Sequence, residues 1–205
     1  MYRDFIDAVK KAEIISIISH QNPDGDTCGS ALALYRALKL FGKTVYIYCD
    51  SDIKDSLTVL KGYENYNASE VEKCDLAIAC DCADAERMGK YLDMYRKARI
   101  KVDIDHHKTN TGYGNINIIE AGVSATCEVM YKVIKALDGE KPCFDDTVAE
   151  LLYSGLVTDS GGFTFSSVSS QTHAIASELV KYNFNASAIC EHFLKSVPFN
   201  TFRLR

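Results

Sequence analysis

The sequence predicts an α/β fold, a mostly parallel five-stranded sheet with helices on both faces. Three observations carry this expectation. Short apolar runs alternate with longer stretches of helical period along all 205 residues. The runs are almost continuously apolar, as strands are when both faces of a parallel sheet are covered. The chain is also 47% hydrophobic, enough at this length for one substantial core.

In chain order, the first strand is IISIIS at 14–19, followed by a helix over 27–41. Gly42 sits where a left-handed C-cap glycine is wanted. TVYIYC at 44–49 and DLAIAC at 75–80 are the next strands, and helical periodicity resumes over 85–98. IKVDID at 100–105 and NINII at 115–119 complete the sheet. Four further helices are expected over 124–137, 145–157, 170–182 and 186–195, the first with Ser124 as its N-cap.

Composition removes several function classes. A net charge of −5 argues against a basic face gripping long duplex or single-stranded nucleic acid, though a small anionic ligand in a local site remains compatible. Eight scattered cysteines without a C-x-x-C pair read as reduced, which points to the cytoplasm. The amino-terminal segment has only the short apolar run IISII, fitting neither a signal peptide nor a membrane span.

The polar residues that follow the strands are more informative. The first strand runs into His20, Asp24 and Asp26 within HQNPDGD, and the third into Asp81 and Asp84 within CDCAD. The fourth runs into Asp105, His106 and His107. Three of the five histidines therefore directly follow a strand. Asp159 interrupts the otherwise apolar and small-residue run LLYSGLVTDSGGF. Ligands of open α/β sheets bind beyond the carboxyl ends of the strands, where these groups would converge.

Such convergence is costly without a counter-charge. Two carboxylates about 4 Å apart repel by roughly 4 kcal/mol at an effective dielectric near 20. A divalent cation relieves this without surrendering the charge. Carboxylates mixed with imidazoles, and no thiolate among them, suit Mn²⁺ or Mg²⁺ better than a structural zinc. Four carboxylates and two histidines suit two ions about 3.5–4 Å apart, the arrangement used in phosphoryl transfer. NPDGD alone is good turn chemistry and DHH alone is only three letters; the joint occurrence at successive strand ends carries the metal reading.

The stretches HQNPDGDTCGS, DCAD, DHH and GLVTDSGGF together resemble the DHH family of phosphoesterases, over about residues 10–185. Within that family the chain is most similar to the branch that degrades very short oligoribonucleotides. The resemblance implies that His20 and Asp24 hold one metal, that Asp26, His106 and Asp159 hold the other, and that Asp81 bridges both. His107 would bind substrate, facing the scissile phosphate as a hydrogen-bond donor. Asp105 would orient a histidine, and Asp84 would play a supporting part. Two divalent cations are implied, Mn²⁺ foremost, with Mg²⁺ and Co²⁺ as alternatives. No expected ligand position is substituted.

Four smaller expectations accompany this reading. Gly25 lets the loop carry Asp24 and Asp26 inward, and Gly29 and Ser30 open the following helix. The small residues after Asp159 leave room for phosphate oxygens. Cys80 and Cys82 flank Asp81 and would both point away from it on a strand.

Family members usually continue into a smaller domain that selects the substrate, whereas this chain ends in KSVPFNTFRLR. Residues 1–185 are therefore expected to form the catalytic domain, and 186–205 to begin the connection to an absent carboxy-terminal domain. The leading functional expectation is hydrolysis of short oligoribonucleotides, of 3′-phosphoadenosine 5′-phosphate, or of both. Cyclic or linear dinucleotide phosphodiesterase and inorganic pyrophosphatase are the enzymatic alternatives. A regulatory module that binds nucleotide without hydrolysis is the non-enzymatic one, against which the intact ligand set counts. Family members often dimerise, so a homodimer is also an option.

Overall fold

The computed structural model describes residues 2–195. Five strands, β1 (Ile14–Ser19), β2 (Thr44–Tyr48), β3 (Leu76–Cys80), β4 (Ile100–Asp105) and β5 (Ile116–Ile119), form one sheet in the order β2-β1-β3-β4-β5. Every neighbouring pair is parallel. The described residues also form seven α-helices: α1 (Arg3–Lys11), α2 (Gly25–Phe41), α3 (Leu92–Lys97), α4 (Thr126–Asp138), α5 (Asp146–Asp159), α6 (Ser170–Leu179) and α7 (Ala186–Cys190).

Side-chain alternation along the strands divides the interior into two layers. Ile15 and Ile17 of β1, Ile78 and Cys80 of β3, and Val102 and Ile104 of β4 face a large core shared with α1, α2, α4 and α5. Ile18, Ala77 and Ala79 face a smaller core that includes Tyr95 of α3 and Met88. Both faces are covered, so β3 is buried along its whole length. The chain leaves β1 towards β2 on one side and β3 towards β4 on the other. The carboxyl ends of β1 and β3 therefore flank the point where the winding reverses, the usual ligand crevice of such sheets.

Several elements differ from the sequence expectation for identifiable reasons. No element was expected before residue 14, yet α1 forms there because Phe5, Ala8 and Val9, spaced three and four apart, bury one face in the larger core. Helix α2 starts at Gly25, earlier than expected, because the Asp24 carboxylate accepts from the Asp26 and Thr27 N–H groups and so acts as its N-cap. Gly29 and Ser30 thus lie inside the helix. A Cβ at Gly29 would stand 2.7 Å from the Leu151 carbonyl oxygen, so this glycine serves close packing of α2 on α5. Gly42 does adopt the left-handed C-cap conformation, with φ 96°.

The continuous helix expected over 85–98 is broken. Residues Ala85–Tyr91 form a 3-10 segment interrupted at Gly89, whose φ of 57° and ψ of −132° suit only glycine. Helix α4 begins at Thr126, and Ser124 is not its cap; the Ser124 N–H donates instead to Glu128 Oε1. Helix α6 stops at Leu179, and α7 loosens into a π turn over Glu191–Lys195. Ile189 of α7 is buried in the larger core. The expected connection extends into 196–205, outside the described residues. Among the described residues, no helix is long and apolar enough to cross a membrane. All eight cysteines are free.

Candidate metal centre

His20 follows β1 directly, and Asp81 follows β3. Asp24 and Asp26 stand at the amino end of α2, and Asp159 is the last residue of α5. His106 and His107 follow β4. The fold gathers them at one end of the sheet. Ligand atoms of His20, Asp24 and Asp81 lie within 4.8 Å of one another, as do those of Asp26, His106 and Asp159. Asp81 also forms such a group with His106 and His107.

Asp81 joins the two sides. It is buried and has a positive φ of 59°, tolerable for Asp but uncommon. Its N–H still donates to the Ile104 carbonyl, so the turn comes immediately after the sheet ladder. Thr27 Oγ1 lies 2.6 Å from Asp81 Oδ2, and Thr126 Oγ1 donates to Asp81 Oδ1 at 2.7 Å. The same turn corrects the expectation for the flanking thiols. Cys80 faces the larger core and Cys82 the smaller one, whereas on a continuous strand they would share a face.

The histidine rings are held in a manner suited to cation binding. His20 Nδ1 bonds the Gln21 carbonyl at 2.6 Å, and His106 Nδ1 bonds the Val123 carbonyl at 3.1 Å. A carbonyl partner requires Nδ1–H, which leaves the Nε2 lone pair free for a metal. His106 Nε2 faces Asp159 at 3.5 Å, Asp81 at 3.8 Å and Asp26 at 4.0 Å, too far for direct hydrogen bonds. Around the Thr27 hydroxyl the shortage of donors is acute. His20 Nε2 at 2.7 Å, Asp81 Oδ2 at 2.6 Å and Asp24 Oδ1 at 3.0 Å converge on an oxygen with one hydrogen to give. A donor set this rich in oxygen and imidazole, and this short of positive charge, fits divalent cations.

The carboxyl groups respond to their crowding. Burial, with the charges of Asp81 and Asp159, pushes the Asp26 pKa well above its usual range. Burial also raises Asp159, to about 6, with Asp81 adding to the shift and His106 opposing it. Burial acts the same way on Asp81, but the contacts with His20, Thr27 and Thr126 outweigh it and hold the group ionised. His20 shows the converse: burial lowers its pKa, while Asp81 and the Gln21 carbonyl more than restore it, for a net rise.

His107 is set apart from His106. Its Nδ1 donates to Asp105 Oδ1 at 2.7 Å, which commits that nitrogen, and the side chain is partly exposed. The bond to Asp105 is the largest influence on its pKa, which is raised despite burial and the opposing charge of Arg87. Burial would raise the Asp105 pKa, but bonds from His107 and Asn110 overcome this and keep it below the usual carboxylate range. Asp84 is outside these groups; its carboxylate accepts from the Arg87 N–H and caps the 3-10 segment. The glycines after Asp159 are not an open cradle, since both Gly161 and Gly162 have positive φ and a Cβ at Gly161 would strike Phe165.

Two groups of site residues escaped the sequence reading. Thr27 and Thr126 hold the Asp81 carboxylate, and nothing about an isolated threonine announces that role. Asp103 and Asn110 form a buried polar pair behind Asp105. Asp103 did carry a signal, as a charged residue inside an apolar strand.

A doubly wound parallel sheet with acidic and imidazole groups at its reversal point defines an α/β protein with a candidate divalent-metal centre. The chain belongs to the DHH family: the model of the DHH family, N-terminal domain, matches residues 14–156. It is 30% identical over 190 residues to the bifunctional oligoribonuclease and PAP phosphatase NrnA of Thermus thermophilus, covering 93% of this chain and 56% of that protein. The protein of the same name from Bacillus subtilis is 27% identical, with 92% and 59% covered. An exopolyphosphatase-related protein from Bacteroides fragilis superposes with a TM-score of 0.90 at 25% identity, over 99% of this chain and 62% of that one. The chain thus spans a little over half the length of the curated relatives it matches.

Proposed function

We propose that this chain carries the catalytic centre of a metal-dependent phosphoesterase acting on short oligoribonucleotides and on 3′-phosphoadenosine 5′-phosphate. The observation that carries this reading is the pairing of two three-residue ligand groups about Asp81, with the His106 Nε2 atom turned inward towards three carboxylates. His20, Asp24 and Asp81 would hold one ion, and Asp26, His106 and Asp159 the other, with Asp81 shared. Mn²⁺ is the proposed metal. Such ions, when bound, supply Lewis-acid stabilisation of phosphoryl charge and lower the pKa of a coordinated water.

The rest of the work falls to side chains. Thr27 and Thr126 keep the shared carboxylate in one rotamer, so the two halves of the site hold a constant separation. Asp105 holds His107 at Nδ1 and favours the imidazolium, whose Nε2–H is then free to donate to a phosphoryl oxygen. The substrate class follows the names of the relatives, which are oligoribonuclease and PAP phosphatase.

The test is incubation of the purified protein with Mn²⁺ and a panel of dinucleotides, short oligoribonucleotides, cyclic dinucleotides, 3′-phosphoadenosine 5′-phosphate and pyrophosphate. Turnover of short oligoribonucleotides or of the bisphosphonucleotide is expected. Turnover of pyrophosphate alone, or binding across the panel without hydrolysis, overturns the reading.

A further inference from the structure

We propose that Asn110 is a positioning residue for this site: its side-chain amide locks the Asp105 carboxylate and, through it, the His107 ring. The inference rests on the phosphoesterase reading for its kinetic consequence, and on the hydrogen-bond geometry for its structural one.

Asp105 has two oxygens with different duties. Oδ1 accepts from the His106 N–H at 2.8 Å and from His107 Nδ1 at 2.7 Å. Oδ2 accepts from Asn110 Nδ2 at 2.7 Å. A carboxylate rotates easily about its last torsion, so bonds to one oxygen alone leave its plane free to swing. A donor on the second oxygen removes that freedom and keeps Oδ1 aimed at the imidazole.

Asn110 is itself firmly held. Its Oδ1 accepts from the Gly112 N–H at 2.8 Å, its own N–H donates to the His107 carbonyl at 3.2 Å, and it is buried. Nδ2 also reaches Asp103 Oδ1 and the Cys82 carbonyl, each at 3.2 Å. The amide therefore stands as the donor between two buried carboxyl groups, Asp103 and Asp105. The second oxygen of Asp103 has no partner among the described residues. Without Asn110, Asp105 Oδ2 would lose its amide donor, and the carboxylate would lose its fixed orientation. The position needs two donors and one acceptor on a short planar group, which asparagine supplies. Asn110 thus ties the end of the DHH segment back to the sheet.

The test compares Asn110→Ala and the milder Asn110→Ser, in the wild-type background and with His107→Ala. Loss of kcat by about tenfold or more, with KM and metal content little changed, is expected for Asn110→Ala. In the His107→Ala background the further loss should shrink to less than about threefold, because the route through His107 is already gone. Equal losses in both backgrounds would mean that Asn110 only supports the fold, and would overturn the proposal. A second readout needs no activity: in metal-free protein, ¹⁵N spectra should show the His107 ring as a single Nδ1-bonded form that becomes mixed in either variant. An unchanged His107 signal in a folded variant overturns the proposal as well. Should the wild-type protein hydrolyse nothing, the functional reading fails while the spectra still decide the role of Asn110. Should Asn110→Ala fail to fold, Asn110→Ser, which keeps one donor, carries both measurements.

Discussion

Asp26, at the start of α2, accepts a hydrogen bond of 2.6 Å from the backbone N–H of Thr126, one hundred residues later in the chain. The Cys127 N–H donates to the other oxygen at 2.9 Å. Asp26 is thus both an expected metal ligand and the cap of α4, whose own N-cap position, Ala125, offers no side chain for the purpose. The partial positive charge of the helix end helps to hold this carboxylate at the centre.

This double duty predicts an asymmetry between two proposed ligands of the same ion. Asp26→Ala removes a cap and should destabilise the metal-free fold by about 1 kcal/mol at acid pH, where a carboxyl with so raised a pKa stays protonated and its charge costs the fold nothing. Asp159→Ala removes a carboxyl that accepts no helix N–H among the described residues and whose pKa is raised to about 6. At pH 8 that group is ionised in a fold that disfavours its charge, so its removal should raise the melting temperature in chelator. Thermal melts of both variants in EDTA check the pair; a fall for Asp159→Ala would contradict the electrostatic account.

Asp81→Ala should abolish hydrolysis, since the proposal gives this carboxylate to both ions and Thr27 and Thr126 exist there to hold it. Steady-state assay with excess Mn²⁺ is the check. Residual activity of about a tenth or more would be inconsistent with a shared ligand.

His107→Ala should leave metal stoichiometry near that of the wild type while lowering kcat about a hundredfold, in the usual range for loss of a charge-stabilising donor. The reason is that Nδ1 is already committed to Asp105. Elemental analysis alongside kinetics decides it, and loss of one ion per chain would make His107 a ligand.

Metal binding should release protons. Burial and neighbouring carboxylates raise Asp26 well above its ordinary range and Asp159 to about 6, so near pH 6 the metal-free site carries protons that cations must displace. Apparent Mn²⁺ affinity should therefore climb between pH 5 and 7. Calorimetry in buffers of different ionisation heat measures the release directly, and heats independent of buffer would refute it.

The buried carboxyl of Asp103 makes a separate pH prediction. Burial, aided by Asp105, raises its pKa to about 7 from the 3.8 expected in the unfolded chain. The unfolded state gives up this proton first as pH rises. The resulting stability is complete below about pH 4 and is lost as pH climbs through 7, with a slope of at most about 1.4 kcal/mol per pH unit. Asp103→Asn should flatten this part of the curve relative to the wild type. Denaturant melts at pH 5, 6 and 7 read the difference, and parallel curves would show that Asp103 is not the titrating group.

The sequence by itself determined the sheet, because continuous apolar runs such as IISIIS and DLAIAC suit a strand covered on both faces and little else. It also determined which polar residues end those strands, since the period of alternation runs out where His20, Asp81 and His106 begin. Missed were features whose meaning depends on a distant partner. Helix α1 is a short amphipathic segment stabilised by the core beneath it, and local propensity alone does not announce such a helix. The break at Gly89 answers to Asp50, whose Oδ2 would lie 2.2 Å from a Cβ placed there. Only the tertiary structure decided that Asp26 caps α4, that Thr27 and Thr126 clasp Asp81, and that Asn110 stands between Asp103 and Asp105. Hydrogen bonds are short-ranged and directional, so which donor meets which carboxylate is fixed by packing, whereas the burial of an apolar run is written into its own composition.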